Sequence, residues 1–184
     1  MDFSEKKVAV AGLGGLGSNI AVMLARSGVG RLLLVDFDSV SESNLNRQYY
    51  ATRHIGMYKT VALEIQLADI APSVTVEIQT VKVTEENVAE LFKDYDVICE
   101  AFDNPQSKAM LINELLPEGK IIVSGSGMSG FGSCNDITTK RVFKNLYVCG
   151  DGGEGTKFFA PRVSVCAGHQ ANMILRILMG IEDI

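Results

Sequence analysis

Lys7-Val8-Ala9-Val10-Ala11-Gly12-Leu13-Gly14-Gly15-Leu16-Gly17-Ser18-Asn19-Ile20 is the stretch on which the fold turns. A short apolar run over residues 7–11 ends in a G-x-G-x-x-G cluster made by Gly12, Gly14 and Gly17, with Gly15 between them. Leu16, Ile20, Met23 and Leu24 then recur at helical spacing through residue 27. The glycines permit a tight turn and let backbone amides approach a phosphate, whose charge a helix N-terminus favours. Gly28 and Gly30 close the helix and open a second strand over residues 31–35, which runs into Asp36. An acid placed about 20 residues beyond such a turn can bond a ribose hydroxyl pair. Context and acid together favour a nucleotide site over a glycine turn that serves packing alone.

The same alternation continues outward from this unit. Residues 36–58 are polar and show no period, and a helix follows over residues 59–71, stopped by Pro72. Residues 74–83 alternate Val and Ile with polar side chains, which predicts a half-exposed strand. Thr84, with Glu85 and Glu86 after it, reads as a helix cap followed by acids in the first turn. Residues 96–102 and 120–124 read as buried strands separated by a helix over 106–116. A loop rich in glycine and serine spans 125–135, antiparallel strands around a turn span 137–149, and a last helix runs from Pro161 to near Gly180. The expected fold is α/β and Rossmann-like, a mainly parallel sheet with helices on both faces and an antiparallel C-terminal extension. No repeat or linker divides the chain, so residues 1–184 are expected to form one domain.

Bulk composition narrows the partners. The chain is 47% hydrophobic and 21% charged, as in ordinary globular α/β proteins. A net charge of -5 disfavours nonspecific attraction to nucleic acid or an anionic membrane. No apolar stretch approaches the roughly 20 residues that span a bilayer, and no secretory pattern opens the sequence. The expectation is a cytoplasmic protein. Cys99, Cys134, Cys149 and Cys166 form no C-x-x-C pair, so no zinc is expected.

Beyond the glycine turn, the segment from Asp36 through Asp38, Asn44, Arg47 and Gln48, with Lys59 at the next helix, sets an amide, a guanidinium and an ammonium beside the nucleotide. Such donors suit a triphosphate, whose charge must be neutralised before an anionic nucleophile approaches. An NAD-binding sensor or oxidoreductase module would account for the glycine turn and Asp36, and would leave those donors unexplained. Asp103 follows another predicted strand, and parallel strands present their carboxyl ends at one edge, so it should converge on the same site. It can ligate Mg²⁺ there, or cap the next helix, a task that Asn104 suits equally. His54 and His169 are expected to be structural.

Taken together, the glycine loop, Asp36-Phe37-Asp38, the run Ser43-Asn44-Leu45-Asn46-Arg47-Gln48, Lys59 and Asp103-Asn104 resemble the ThiF/MoeB/HesA family. These are the E1-like enzymes that activate ubiquitin-like sulfur carriers, and the compact size and the run Glu100 to Pro105 resemble the short ThiF-like adenylyltransferases of thiamine biosynthesis. The resemblance implies adenylation by ATP of a carrier's C-terminal Gly-Gly carboxylate, releasing pyrophosphate. It implies that Gly12, Gly14, Gly15 and Gly17 hold the nucleotide and Asp36 the ribose. Asn44, Arg47 and Lys59 would bind the triphosphate and Asp103 would hold Mg²⁺, with Asp38, Gln48 and Asn104 also among the nucleotide-binding residues; Arg47, Lys59 and Asp103 would carry catalysis. Some relatives also use a loop cysteine for a thioester or persulfide, for which Cys134 is the first positional candidate and Cys149 the second. The chain departs from larger members in lacking the C-x-x-C pairs and the arginine of an N-terminal helix that reaches a neighbouring subunit, which leaves a homodimer open. Lys108 stands where an arginine is usual. A noncatalytic, nucleotide-binding member of the family is the remaining alternative.

Overall fold

The computed structural model describes residues 2–184. Seven strands form one sheet in the order β3-β2-β1-β4-β5-β7-β6. They are β1 (Lys7–Ala11), β2 (Arg31–Val35), β3 (Thr75–Gln79), β4 (Val97–Glu100), β5 (Ile121–Gly125), β6 (Thr138–Phe143) and β7 (Leu146–Gly150). Every neighbouring pair is parallel except β6 with β7, which is the antiparallel C-terminal extension expected from the sequence.

Side chains alternate across a strand, so each strand divides its apolar residues between two layers. Val8 and Val10 of β1 face one core with Leu32, Leu34, Cys99, Val123 and Tyr147. The helices α1 (Gly15–Arg26), α2 (Lys59–Ile70) and α5 (Ala160–Leu178) cover that face. Ala9 and Ala11 face the other core with Leu33, Val35, Ile98 and Ile122, covered by α3 (Val88–Phe92) and α4 (Pro105–Leu115). Both faces are thus buried, which explains why β1, β2 and β4 read as continuous apolar runs. The edge strand β3 keeps the expected half-exposed alternation.

Two local readings need correction. The third strand stops at Gln79 because its partner β2 ends opposite it at Val35. Thr84 does not cap α3. Residues 84–87 form a turn in which the Thr84 amide donates to the Asn87 side chain, and the helix starts at Val88. The unpatterned segment 36–58 holds two short 3-10 turns, Glu42–Asn44 and Thr52–His54. It is tied down by polar contacts and by Val40 and Tyr50, which reach into the core. Among the described residues, no helix is long and apolar enough to cross a membrane.

Candidate functional site

The chain leaves β1 toward β2 on one side and returns to β4 on the other, so the crevice between β1 and β4 lies at the switch point of the sheet. A cavity of about 1060 Å³ opens there, over the carboxyl ends of the strands. Its walls include Gly12, Gly14, Gly15, Asp36, Asp38, Arg47, Gln48, Lys59, Asp103 and Asn104.

The glycines divide into two jobs. Gly12 has φ +90°, and a Cβ there would press on the Ala101 carbonyl at 2.9 Å. A Cβ on Gly17 would overlap the Gly12 carbonyl, so Gly17 lets α1 sit close on β1 and is absent from the cavity wall. A Cβ on Gly14 would meet nothing closer than Gln48 Nε2 at 3.9 Å and would stand in the cavity itself. That space leaves the first amides of α1 open to an anion, as a helix N-terminus favours.

Asp36 is buried, with one carboxylate oxygen accepting from the Leu13 amide at 2.6 Å and the other from the Asp38 amide at 2.8 Å. Burial raises its pKa above the ordinary carboxylate range, and the Lys59 ammonium works against that rise. Lys59 Nζ lies 2.8 Å from the half-exposed Asp38 and 3.9 Å from Asp36. Arg47 makes hydrogen bonds with the Ser43 carbonyl and the Asn46 side chain and lies over the Phe158 ring. It is the cavity guanidinium with no carboxylate partner among the described residues.

Contacts with α1 hold the donor segment in place. Asn19 donates to the Arg47 carbonyl at 3.0 Å, the Tyr49 amide donates to Ser18 Oγ at 2.9 Å, and the Tyr50 hydroxyl donates to the Leu13 carbonyl at 2.9 Å. Gln48 is buried with its side-chain carbonyl oxygen unpartnered. Sequence reasoning passed over Ser18, Asn19 and Tyr50, since their roles depend on contacts with distant parts of the chain.

Some predicted site residues are placed elsewhere. Asn44 is not on the cavity wall; its side chain accepts from the Ser41 amide at 3.0 Å and closes a turn. Asn104 lines the cavity, but its carbonyl oxygen is spent as the α4 cap on the Ser107 amide. That frees Asp103, which is exposed at the mouth. Cys149 is buried in the core, where desolvation pushes its thiol up to about 11, so it is unsuited to sulfur transfer. Cys134 is partly exposed in a 3-10 turn and lies off the cavity wall. His54 accepts from the Ala51 amide and His169 pairs with Thr139, both away from the cavity.

No group of three or more His, Cys, Asp or Glu able to hold a metal occurs among the described residues. A lone carboxylate suits Mg²⁺ bound mainly through phosphate oxygens and water, and Asp103 meets that requirement.

The sequence profile of the ThiF family matches residues 2–184. The chain belongs to the ThiF family. Among curated relatives, it is 29% identical over 196 residues to the adenylyltransferase and sulfurtransferase MOCS3 of Dictyostelium discoideum, covering 100% of this chain and 45% of that protein. It is 29% identical over 187 residues to the molybdopterin-synthase adenylyltransferase of Haemophilus influenzae, covering 95% of this chain and 75% of that protein. This ThiF-family chain therefore spans less than half the length of the Dictyostelium relative. Among solved structures, the tRNA N6-threonylcarbamoyladenosine dehydratase TcdA of E. coli, determined in complex with ATP, superposes with a TM-score of 0.90 at 22% identity. That match covers 97% of this chain and 87% of TcdA and establishes the shared fold.

Proposed function

We propose that the chain binds ATP and adenylates the C-terminal Gly-Gly carboxylate of a small ubiquitin-like sulfur carrier, in the thiamine pathway by its resemblance to the short family members. The carrying observation is that one cavity gathers the glycine turn, Asp36, Arg47, Lys59 and Asp103. Relatives named as adenylyltransferases support the reaction type. TcdA, named for tRNA modification, shares the fold and leaves the acceptor to be settled by assay.

A terminal carboxyl has a reference pKa of about 3.5, so it arrives ionised and needs no general base. The work is to suppress repulsion between two anions and to align an in-line attack. A carboxylate oxygen of the carrier bonds to the α-phosphorus, the bond to the β-phosphate oxygen breaks, and pyrophosphate leaves. Asp36 orients the ribose, and the first amides of α1 cradle phosphate. Arg47 and Lys59 offset its charge, Lys59 by exchanging Asp38 for a phosphate oxygen. Mg²⁺ held by Asp103 would supply further charge neutralisation on the departing pyrophosphate.

Pyrophosphate exchange into ATP, dependent on a Gly-Gly carrier, tests this reading. Asp103→Ala should lower exchange by about 100-fold. Tight NAD binding without ATP binding would overturn it in favour of a dinucleotide module. ATP binding without exchange on any carrier would leave a noncatalytic nucleotide-binding domain.

A further inference from the structure

At the cavity wall lies a charged pair that the reaction scheme leaves without a task, with Lys108 lining the cavity and Glu100 behind it. Glu100, the last residue of β4, is completely buried. Lys108 reaches it from α4, and its Nζ donates to Oε1 at 3.1 Å, to Oε2 at 2.9 Å and to the Gly125 carbonyl at 2.9 Å. An ammonium has three N–H groups, and all three are used. Glu100 also accepts from Ser124 Oγ at 2.6 Å and from the Phe102 amide at 2.7 Å. Gln170 of α5 donates to the Glu100 and Val123 carbonyls, 3.1 Å each. Burying two charges is costly unless their remaining valences are filled, and a filled network is rigid.

The consequence falls on Asp103. The residue before it has its amide gripped by Glu100, and the residue after it is fixed as the α4 cap through the Ser107 amide. Asp103 is therefore suspended between two pinned neighbours while its own carboxylate stays exposed. We infer that Glu100 and Lys108 are positioning residues, a buried ion pair that locks residues 101–104 against the end of β5 and so sets where the Asp103 carboxylate stands over the cavity. Glu100 lies off the cavity wall, and Lys108, which lines it, spends its three N–H groups on Glu100 and the Gly125 carbonyl, so the pair acts through Asp103. The inference rests on the proposed role of Asp103 toward a nucleotide-bound cation, and its mechanical half stands without it.

The test uses the full chain with Lys108→Met, Glu100→Gln, Lys108→Arg and Ser124→Ala. One readout is backbone amide hydrogen exchange over residues 101–104; the other is affinity for a fluorescent ATP analogue with and without Mg²⁺. Lys108→Met and Glu100→Gln should speed exchange at the hydrogen-bonded amides of Ala101 and Phe102 on the order of tenfold. They should weaken Mg²⁺-dependent binding by about tenfold and metal-free binding by less than about twofold, as for loss of a supporting contact behind a metal ligand. Lys108→Arg, which keeps the charge, should recover both readouts. Ser124→Ala removes one bond without stranding a charge, so it should shift both readouts the same way by less, even where the other variants fold poorly. Unchanged exchange, or equal losses with and without Mg²⁺, would overturn the inference. If the unmodified chain binds no ATP, the functional reading fails, and amide exchange alone decides whether the pair locks the segment.

Discussion

Cys134 and Cys149 carry the same thiol, and only their surroundings separate them. Cys149 sits in the core beside Cys166, and desolvation raises these thiols to about 11 and about 12. Burial drives Cys99 upward as well. The thiolate is the nucleophile, so these three should resist iodoacetamide at pH 8 in the folded chain while Cys134 is alkylated first, as mass spectrometry of timed samples can establish. Modification of Cys149 at the same rate as Cys134 would contradict its burial. The sequence ranked both by their nearness to glycine-rich loops and could not show which was inward, because that depends on β7 pairing with β5. Asp103 and Asn104 were equally ambiguous as caps, and a single hydrogen bond to the Ser107 amide separates them. That Gly12, Asp36 and Lys59 meet at one cavity was legible because their placement follows from the local order of strand, turn and helix.

At the scale of elements, the loop after β5 and the loop after β7 are joined to one another. The Asp151 amide donates to the Gly127 carbonyl, the Gly152 amide to the Ser126 carbonyl and the Gly130 amide to the Lys157 carbonyl. Cβ atoms on Gly127 or Gly150 would strike the opposing backbone, so these glycines serve close loop packing. Arg162, buried in the first turn of α5, fastens the arrangement by pairing with Asp151 and donating to the Ser133 carbonyl. Asp151 stays open to solvent when its partner is removed, so Arg162→Ala should cost only the lost charge-assisted bonds, about 2 kcal/mol. Urea unfolding measures the loss, and limited proteolysis should find new cuts within residues 126–136 and 151–159. An unchanged midpoint and cleavage pattern would deny Arg162 that task. Nothing in the local sequence announced this arginine, since Pro161-Arg162-Val163 reads as an ordinary helix start and Asp151 lies across a strand-to-helix connection.

At the scale of the molecule, the alternation of strands and helices gave the parallel sheet directly, because it follows from hydrophobic period and punctuation. The order of strands and the assignment of α1, α2 and α5 to one face depend on long-range packing. A ligand that binds only the folded chain stabilises it by mass action. At free Mg²⁺·ATP 100-fold above its Kd this amounts to about 2.7 kcal/mol. For a chain of this size, calorimetry should record a rise of about 5–10 °C in Tm. NAD at the same concentration should leave Tm unmoved, and the reverse result would move the site to the dinucleotide class. The packing of α5 on α1 bears on biosynthesis as well. The glycine turn leaves the ribosome early, yet α5 supplies Val163 against Gly15 and Gln170 beneath the cavity floor, and α5 is translated after every strand. A growing chain therefore displays the glycine turn long before α5 can pack against it, and on the proposed function competence for ATP would wait for α5 to settle on α1.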